Sequence, residues 1–177
     1  MYQIRLVPPL KTIEIRNVAQ TLRDEFGIYD QPFPIVEAYE WMVAKDTFEF
    51  EILENDKMPH DYGLYIPHLN LIQIRQEIYD KAMKDDGFAR STMAHELGHW
   101  ALKHGQDISF ASSAKPQPSV TCTDPEWQAK KYSQELLIDT RLLSTHISPK
   151  AIEKRFKVTF QMAEVAYESL RREGLIK

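Results

Sequence analysis

The segment His95-Glu96-Leu97-Gly98-His99 carries the residue types and the spacing of an H-E-x-x-H site. It lies in a run that reads as helix, with Ser91-Thr92-Met93-Ala94 before it and Trp100-Ala101-Leu102-Lys103-His104 after it. Histidines four apart on an α-helix sit about 40° apart around the axis, so both imidazoles leave one face. That is what a zinc ion needs from its first two ligands. Glu96, about 100° round from His95, reaches a metal-held water without binding the metal. Two ligands and a base make the core of a metal-dependent hydrolase. Met93, Leu97, Trp100 and Ala101 supply an apolar stripe at helical spacing. Gly98 costs a helix about 1 kcal/mol against Ala, so its place inside the motif implies that another backbone or a substrate comes close.

A catalytic zinc takes three protein ligands and leaves the fourth position to water. One class of such sites uses a third histidine six residues past the second, but that position here is Gly105. His104, five past His99 and about 140° round, reads as a polar helix-end residue near the C-terminal dipole. The other solution is a glutamate from a second helix. Asp124-Pro125-Glu126 opens one, with Asp124 at the N-cap and Pro125 in the first turn. Glu126 shares a face with Ala129, Ser133 and Leu137, the small and apolar side. A carboxylate buried there needs a partner such as a metal ion. Glu126 is the favoured third ligand, Asp124 is its rival, and Glu135 points to the opposite face.

The run from Arg90 through His104, followed by Asp124-Pro125-Glu126-Trp127-Gln128-Ala129 and Glu135-Leu136-Leu137, resembles the ImmA/IrrE family of metallo-endopeptidases. Gly63-Leu64-Tyr65 and Leu71-Ile72-Gln73-Ile74-Arg75 resemble that family's hairpin before the active helix, so the likeness covers about residues 60–172. The resemblance implies a cytoplasmic zinc peptidase of bacteria, phages or mobile elements. Its protein substrate would be a repressor or an antitoxin-like regulator, often encoded nearby. It maps the ligands onto His95, His99 and Glu126 and the general base onto Glu96. The chain departs from the family at Lys130, where Asn or Asp is usual and can orient a ligand histidine. It departs again at Tyr132-Ser133-Gln134, where the family is Ala-rich, and at Ile138-Asp139, where it often has Met-Pro.

The elements that must hold these residues follow from periodicity. Ile15, Val18, Leu22 and Phe26 give a helix over 12–26, Gln31-Pro32-Phe33-Pro34 breaks it, and a second helix covers 35–45. Phe48, Phe50 and Ile52 alternate with glutamates as a half-exposed strand. After the turn at Asp61-Tyr62-Gly63, Tyr65-Ile66 and 71–75 read as two more strands. The fold expected is α+β: a mostly helical zincin-like domain with a small antiparallel sheet beside the H-E-x-x-H helix. A free edge of that sheet would suit an extended peptide. His60 and His68 fall on its turns and read as surface histidines. The stretch 106–123 reads as a long flap between the two metal-bearing helices.

Residues 1–147 form the expected zincin-like unit. A helical pair over 148–177 packs on it and helps select a protein substrate. Its second helix carries Glu164, Glu168 and Glu173 against Arg171 and Arg172, which argues against DNA reading. The chain has 177 residues and a formal net charge of −4. Neither nucleic acid nor an anionic membrane is therefore an expected partner. One cysteine, Cys122, excludes an internal disulfide and reads as a loop thiol. No apolar run approaches membrane-spanning length. The function expected is a zinc-dependent endopeptidase. The alternative is a zincin-fold protein that binds a partner, or regulates transcription, without cleavage.

Overall fold

The computed structural model describes residues 7–29, 32–105 and 121–177. Its helices are α1 (Thr12–Glu25), α2 (Ile35–Ala44), α3 (Gln76–Ala82), α4 (Gly87–Ala101), α5 (Pro125–Leu137), α6 (Pro149–Phe156) and α7 (Phe160–Arg172). The strands are β1 (Glu49–Leu53), β2 (Gly63–Ile66) and β3 (Leu71–Arg75). The architecture is α+β, as expected. The 106–120 part of the expected flap lies outside the described residues.

Local chemistry accounts for where the functional helices start. The Asp86 carboxylate accepts the Ala89 N–H at 2.9 Å and opens α4. The Asp124 carboxylate accepts the Glu126 N–H at 2.9 Å and opens α5, with Pro125 in the first turn. Ser148 and Thr159 cap α6 and α7 in the same way. Each such cap contributes about 1 kcal/mol by pairing an otherwise orphaned helix-end N–H.

The sheet corrects one expectation: it is mixed, not antiparallel. Its order is β1-β3-β2. β2 pairs antiparallel with β3, with Gly63 opposite Ile74 and Tyr65 opposite Ile72. β1 pairs parallel with β3, with Glu49 opposite Leu71 and Leu53 opposite Arg75. Topology gives the reason. The chain leaves β1 and enters β2 at the same end of β3, so β1 and β2 oppose one another across it. A tight turn at Pro67–Leu69, closed by left-handed Asn70 (φ 48°), then forces β3 antiparallel to β2. β3 must therefore run parallel to β1. β2 is left at the edge of the sheet.

Helix α4 runs through the middle of the molecule, packed on α5, α3 and β2. Ala89, Met93, Ala94 and Leu97 along it are fully buried. Truncating Leu97 to Ala would cost about 2–5 kcal/mol. Ile15, Tyr39, Ile72, Ile74, Leu136, Ile152, Phe156 and Ala163 join the same core cluster, so α6 and α7 share it with the rest. Buried ion pairs pin the periphery. Arg16 of α1 meets Glu135 of α5 at 2.7 Å and Glu173 at 2.7 Å. Arg23 meets Asp139 at 3.1 Å with both side chains fully buried. Among the described residues, no helix is long and apolar enough to cross a membrane.

Candidate metal centre

The α4–α5 contact builds the site, and Gly98 makes that contact possible. A Cβ at position 98 would stand 3.1 Å from the Ala129 carbonyl oxygen and 3.1 Å from Tyr132 Cδ1. The backbone approach expected from a glycine inside the motif is thus made by α5. It brings the first turn of α5 beside the histidine face of α4.

Three side chains converge there. His95 Nε2 and His99 Nε2 lie 3.1 Å apart. Glu126 Oε2 is 3.2 Å from His95 Nε2, and Glu126 Oε1 is 3.4 Å from His99 Nε2. A tetrahedral zinc with bonds of about 2.0–2.2 Å has ligand-to-ligand edges of about 3.3–3.6 Å, so the three atoms lie within about 0.2 Å of the spacing such an ion sets. Among the described residues this is the group of His, Cys, Asp and Glu side chains suited to a metal. Asp124 is not in it; its carboxylate caps α5. Glu135 is not in it either, being held by Arg16. Cys122 stands outside it and contributes its backbone carbonyl to Gln128 and Leu10 instead.

One expectation about Glu126 is corrected. Ala129, Ser133 and Leu137 are buried, but the Glu126 side chain is 59% exposed. It precedes the covered face by one turn and sits at the mouth of the cluster. A lone buried charge is therefore not what draws it to the histidines. The exposure keeps one side of the cluster open, as a catalytic zinc needs for water.

The electrostatics suit metal ligation. Burial lowers the His95 pKa, although Glu126 opposes it. His99 is driven down to about 3 by burial and by the neighbouring His95 and His104. Both imidazoles are neutral at pH 7, the state that offers a lone pair. Glu96 behaves in the opposite sense. Burial raises its carboxyl to about 7; the Tyr65 N–H pulls the other way, and the negative charges of Glu126 and Asp61 add to the rise. Its side chain accepts that Tyr65 N–H at 3.0 Å, which ties it to the edge strand β2.

His104 is a helix-end residue, as expected, but it is buried, and its Nδ1 lies 2.9 Å from His99 Nδ1. The reason is that α4 stops at Ala101. Lys103 takes a left-handed conformation (φ 57°), the Lys103 N–H bonds the Trp100 carbonyl, and the His104 N–H bonds the His99 carbonyl. This is a Schellman closure, and it folds His104 back beneath His99. Gln128, fully buried, holds the far side of His104 at 2.9 Å. Gly63, read as a turn residue and as the start of a hairpin strand, packs directly on the Glu96 stem. His60 and His68 are exposed, as expected. Tyr132 is fully buried behind Gly98, and Tyr79 gives its hydroxyl to Glu40 at 3.1 Å. The chain matches no protein-family model, no curated protein and no solved structure.

Proposed function

We propose that the chain is a zinc-dependent endopeptidase of the zincin type, related to the ImmA/IrrE family and acting in the cytoplasm on a regulatory protein. The observation that carries this reading is the convergence of His95, His99 and Glu126 on one point, with buried Glu96 on the same helix. Zinc held there would act as a Lewis acid toward the scissile carbonyl and lower the pKa of its water. Glu96 does the proton work. Its carboxylate takes a proton from the attacking water and hands it to the leaving amine nitrogen. Burial holds that carboxyl at about 7 in the metal-free chain; a dication beside it would favour the carboxylate, the form that takes the water proton.

Two features favour a peptide substrate. The edge strand β2 runs beside Glu96, so an extended peptide adding to that edge would bring its backbone past the base. A cleft of about 710 Å³ lies between α5 and α7, lined by Phe88, Ser91, Trp127, Lys130, Met162 and Val165 among others. Ser91 is one turn before His95 and Lys130 one turn after Glu126, so the cleft shares helix faces with the ligands. Its mixed apolar and cationic lining suits a protein segment carrying carboxylates. The net charge of −4 and the acidic residues on α7 disfavour nucleic acid.

The test is a mapping of new N-termini by mass spectrometry. A mixture of denatured proteins is incubated with the zinc-loaded chain and with its Glu96→Gln variant. Cleavages made by the wild type, abolished by a chelator and absent from the variant support the reading. Bound zinc with identical N-termini from both proteins leaves a zincin-fold binder in its place.

A further inference from the structure

The hydrogen-bond chain behind His99 has a direction, and the direction can be read from its far end. Gln128 places its side-chain nitrogen 2.8 Å from the Pro8 carbonyl and 2.6 Å from the Cys122 carbonyl. Carbonyl oxygens only accept, so these two partners use both amide hydrogens of Gln128. Its Oε1 must then face His104 Nε2, 2.9 Å away. That oxygen also only accepts, so His104 Nε2 carries the hydrogen. A neutral imidazole has one N–H, which leaves His104 Nδ1 bare. Bare Nδ1 lies 2.9 Å from His99 Nδ1, so His99 must donate there. The hydrogen of His99 is thus spent on Nδ1. Its Nε2, facing His95 Nε2 at 3.1 Å and Glu126 Oε1 at 3.4 Å, keeps its lone pair.

We propose that His104 and Gln128 are positioning residues that lock His99 into the tautomer and ring orientation required for metal ligation. The proposal rests on the metal reading of the cluster, not on peptide cleavage. The residue that could orient a ligand histidine at position 130 is here an exposed lysine, which has no acceptor. The orienting group comes instead from the end of the ligand helix itself. Gln128 anchors it to two backbone segments distant in sequence. Those segments are tied to one another, since the Val7 N–H bonds the Thr123 carbonyl at 2.9 Å and the Leu10 N–H bonds the Cys122 carbonyl at 3.1 Å. The orientation of His99 therefore depends on the chain before α1 being docked against the start of α5.

The tautomers are readable in the metal-free wild-type protein by long-range proton–nitrogen correlation on ¹⁵N-labelled imidazoles. His99 should carry its hydrogen on Nδ1 and His104 on Nε2. Zinc affinity, measured by competition with a chromophoric chelator, should fall about 10–100-fold in His104→Phe. His104→Gln, which can accept from His99 and donate to Gln128, should regain most of it. Gln128→Met should weaken zinc and let His99 sample both tautomers. A metal-free wild type with the His99 hydrogen on Nε2 overturns the proposal. So does a His104→Phe protein that binds zinc as the wild type does. If His104→Phe fails to fold, the wild-type tautomers decide alone. Correct tautomers in a chain that cleaves nothing would remove the peptidase reading and leave this one standing.

Discussion

Gly63 lies against Glu96 so closely that a Cβ on it would stand 2.6 Å from Glu96 Cγ. Two residues on, Tyr65 gives its N–H to the same carboxylate. The edge strand thus holds Glu96 from both stem and head. A methyl at position 63 has no room unless Glu96 or β2 moves. Gly63→Ala should cost about 1–3 kcal/mol in chemical denaturation and reduce cleavage, with zinc content unchanged. Wild-type stability together with wild-type cleavage would mean that Gly63 does not set the position of Glu96.

Burial of Glu96 also makes a pH-dependent prediction for the metal-free chain. Its carboxyl titrates at about 7 in the fold against 4.5 ordinarily. A raised acid favours the protonated form, so its stability is fully present below about pH 4.5 and is lost as pH rises through about 7. Glu96→Gln cannot ionise and keeps an oxygen for the Tyr65 N–H. In the presence of a chelator the variant should match the wild type near pH 4. Near pH 8 it should exceed the wild type by about 3 kcal/mol. A constant difference across that range, in urea titrations, would contradict it. With zinc restored, the same variant should keep its metal and lose cleavage by about 10²-fold or more.

The parts of the site set by local geometry were legible in the sequence. His95, Glu96 and His99 keep a fixed relation on any helix, and Asp124-Pro125 fixes where α5 begins, hence where Glu126 projects. His104 was not legible, because its position depends on α4 ending at Ala101 and on a left-handed lysine that no periodicity announces. The exposure of Glu126 was missed because residue spacing gives a helix face but not how far the neighbouring helix extends over it. The first strand followed from alternation and the other two from the turn before them, whereas the parallel pairing of β1 depends on β3 entering between its two predecessors. Gln128 looked like an ordinary helix residue; only its burial against two carbonyls gives it a role.

Lys103 carries a left-handed backbone where glycine is usual, so the turn that places His104 is strained. Lys103→Gly should stabilise the chain by up to about 1 kcal/mol while leaving zinc affinity unchanged. A lower melting temperature in that variant would argue that the lysine side chain has a role that its backbone conformation does not reveal.

Asp139 should dominate acid sensitivity away from the site. Burial pushes its carboxyl up, but hydrogen bonds from Arg141 and the charges of Arg23 and Arg141 outweigh that and hold it below 3.8. A lowered acid contributes stability above its ordinary pKa and loses it as pH falls through the folded value. Asp139→Asn would remove the charge that fully buried Arg23 meets at 3.1 Å and should cost about 3–5 kcal/mol near neutral pH. The gap from wild type should narrow only in strong acid, below the ordinary carboxylate pKa. A gap independent of pH, in urea titrations, would show that packing and not charge is what the substitution removes.

The cleft between α5 and α7 offers the clearest test of substrate selection. Deleting residues 148–177 would not be a clean experiment, because Ile152, Phe156, Ala163 and Ala166 belong to the shared core and Glu173 holds Arg16. Point changes at the cleft surface avoid that damage. Val165 is 56% exposed and lines the cleft, so Val165→Asp removes little buried surface and should leave the melting temperature within a degree or two. Its carboxylate would meet incoming acidic segments with like charge and oppose their apolar side chains. Lys130→Glu acts on the other wall in the same sense. Both variants should raise KM for a long substrate found by N-terminal mapping while leaving kcat near wild type. Neither should change cleavage of a short peptide spanning only the scissile site. Trp127 lines the cleft too, so substrate binding to the Glu96→Gln protein should change tryptophan fluorescence, and Val165→Asp should weaken that change. Equal KM values for long and short substrates in all three proteins would place substrate selection elsewhere, with the outer edge of β2 the next surface to alter.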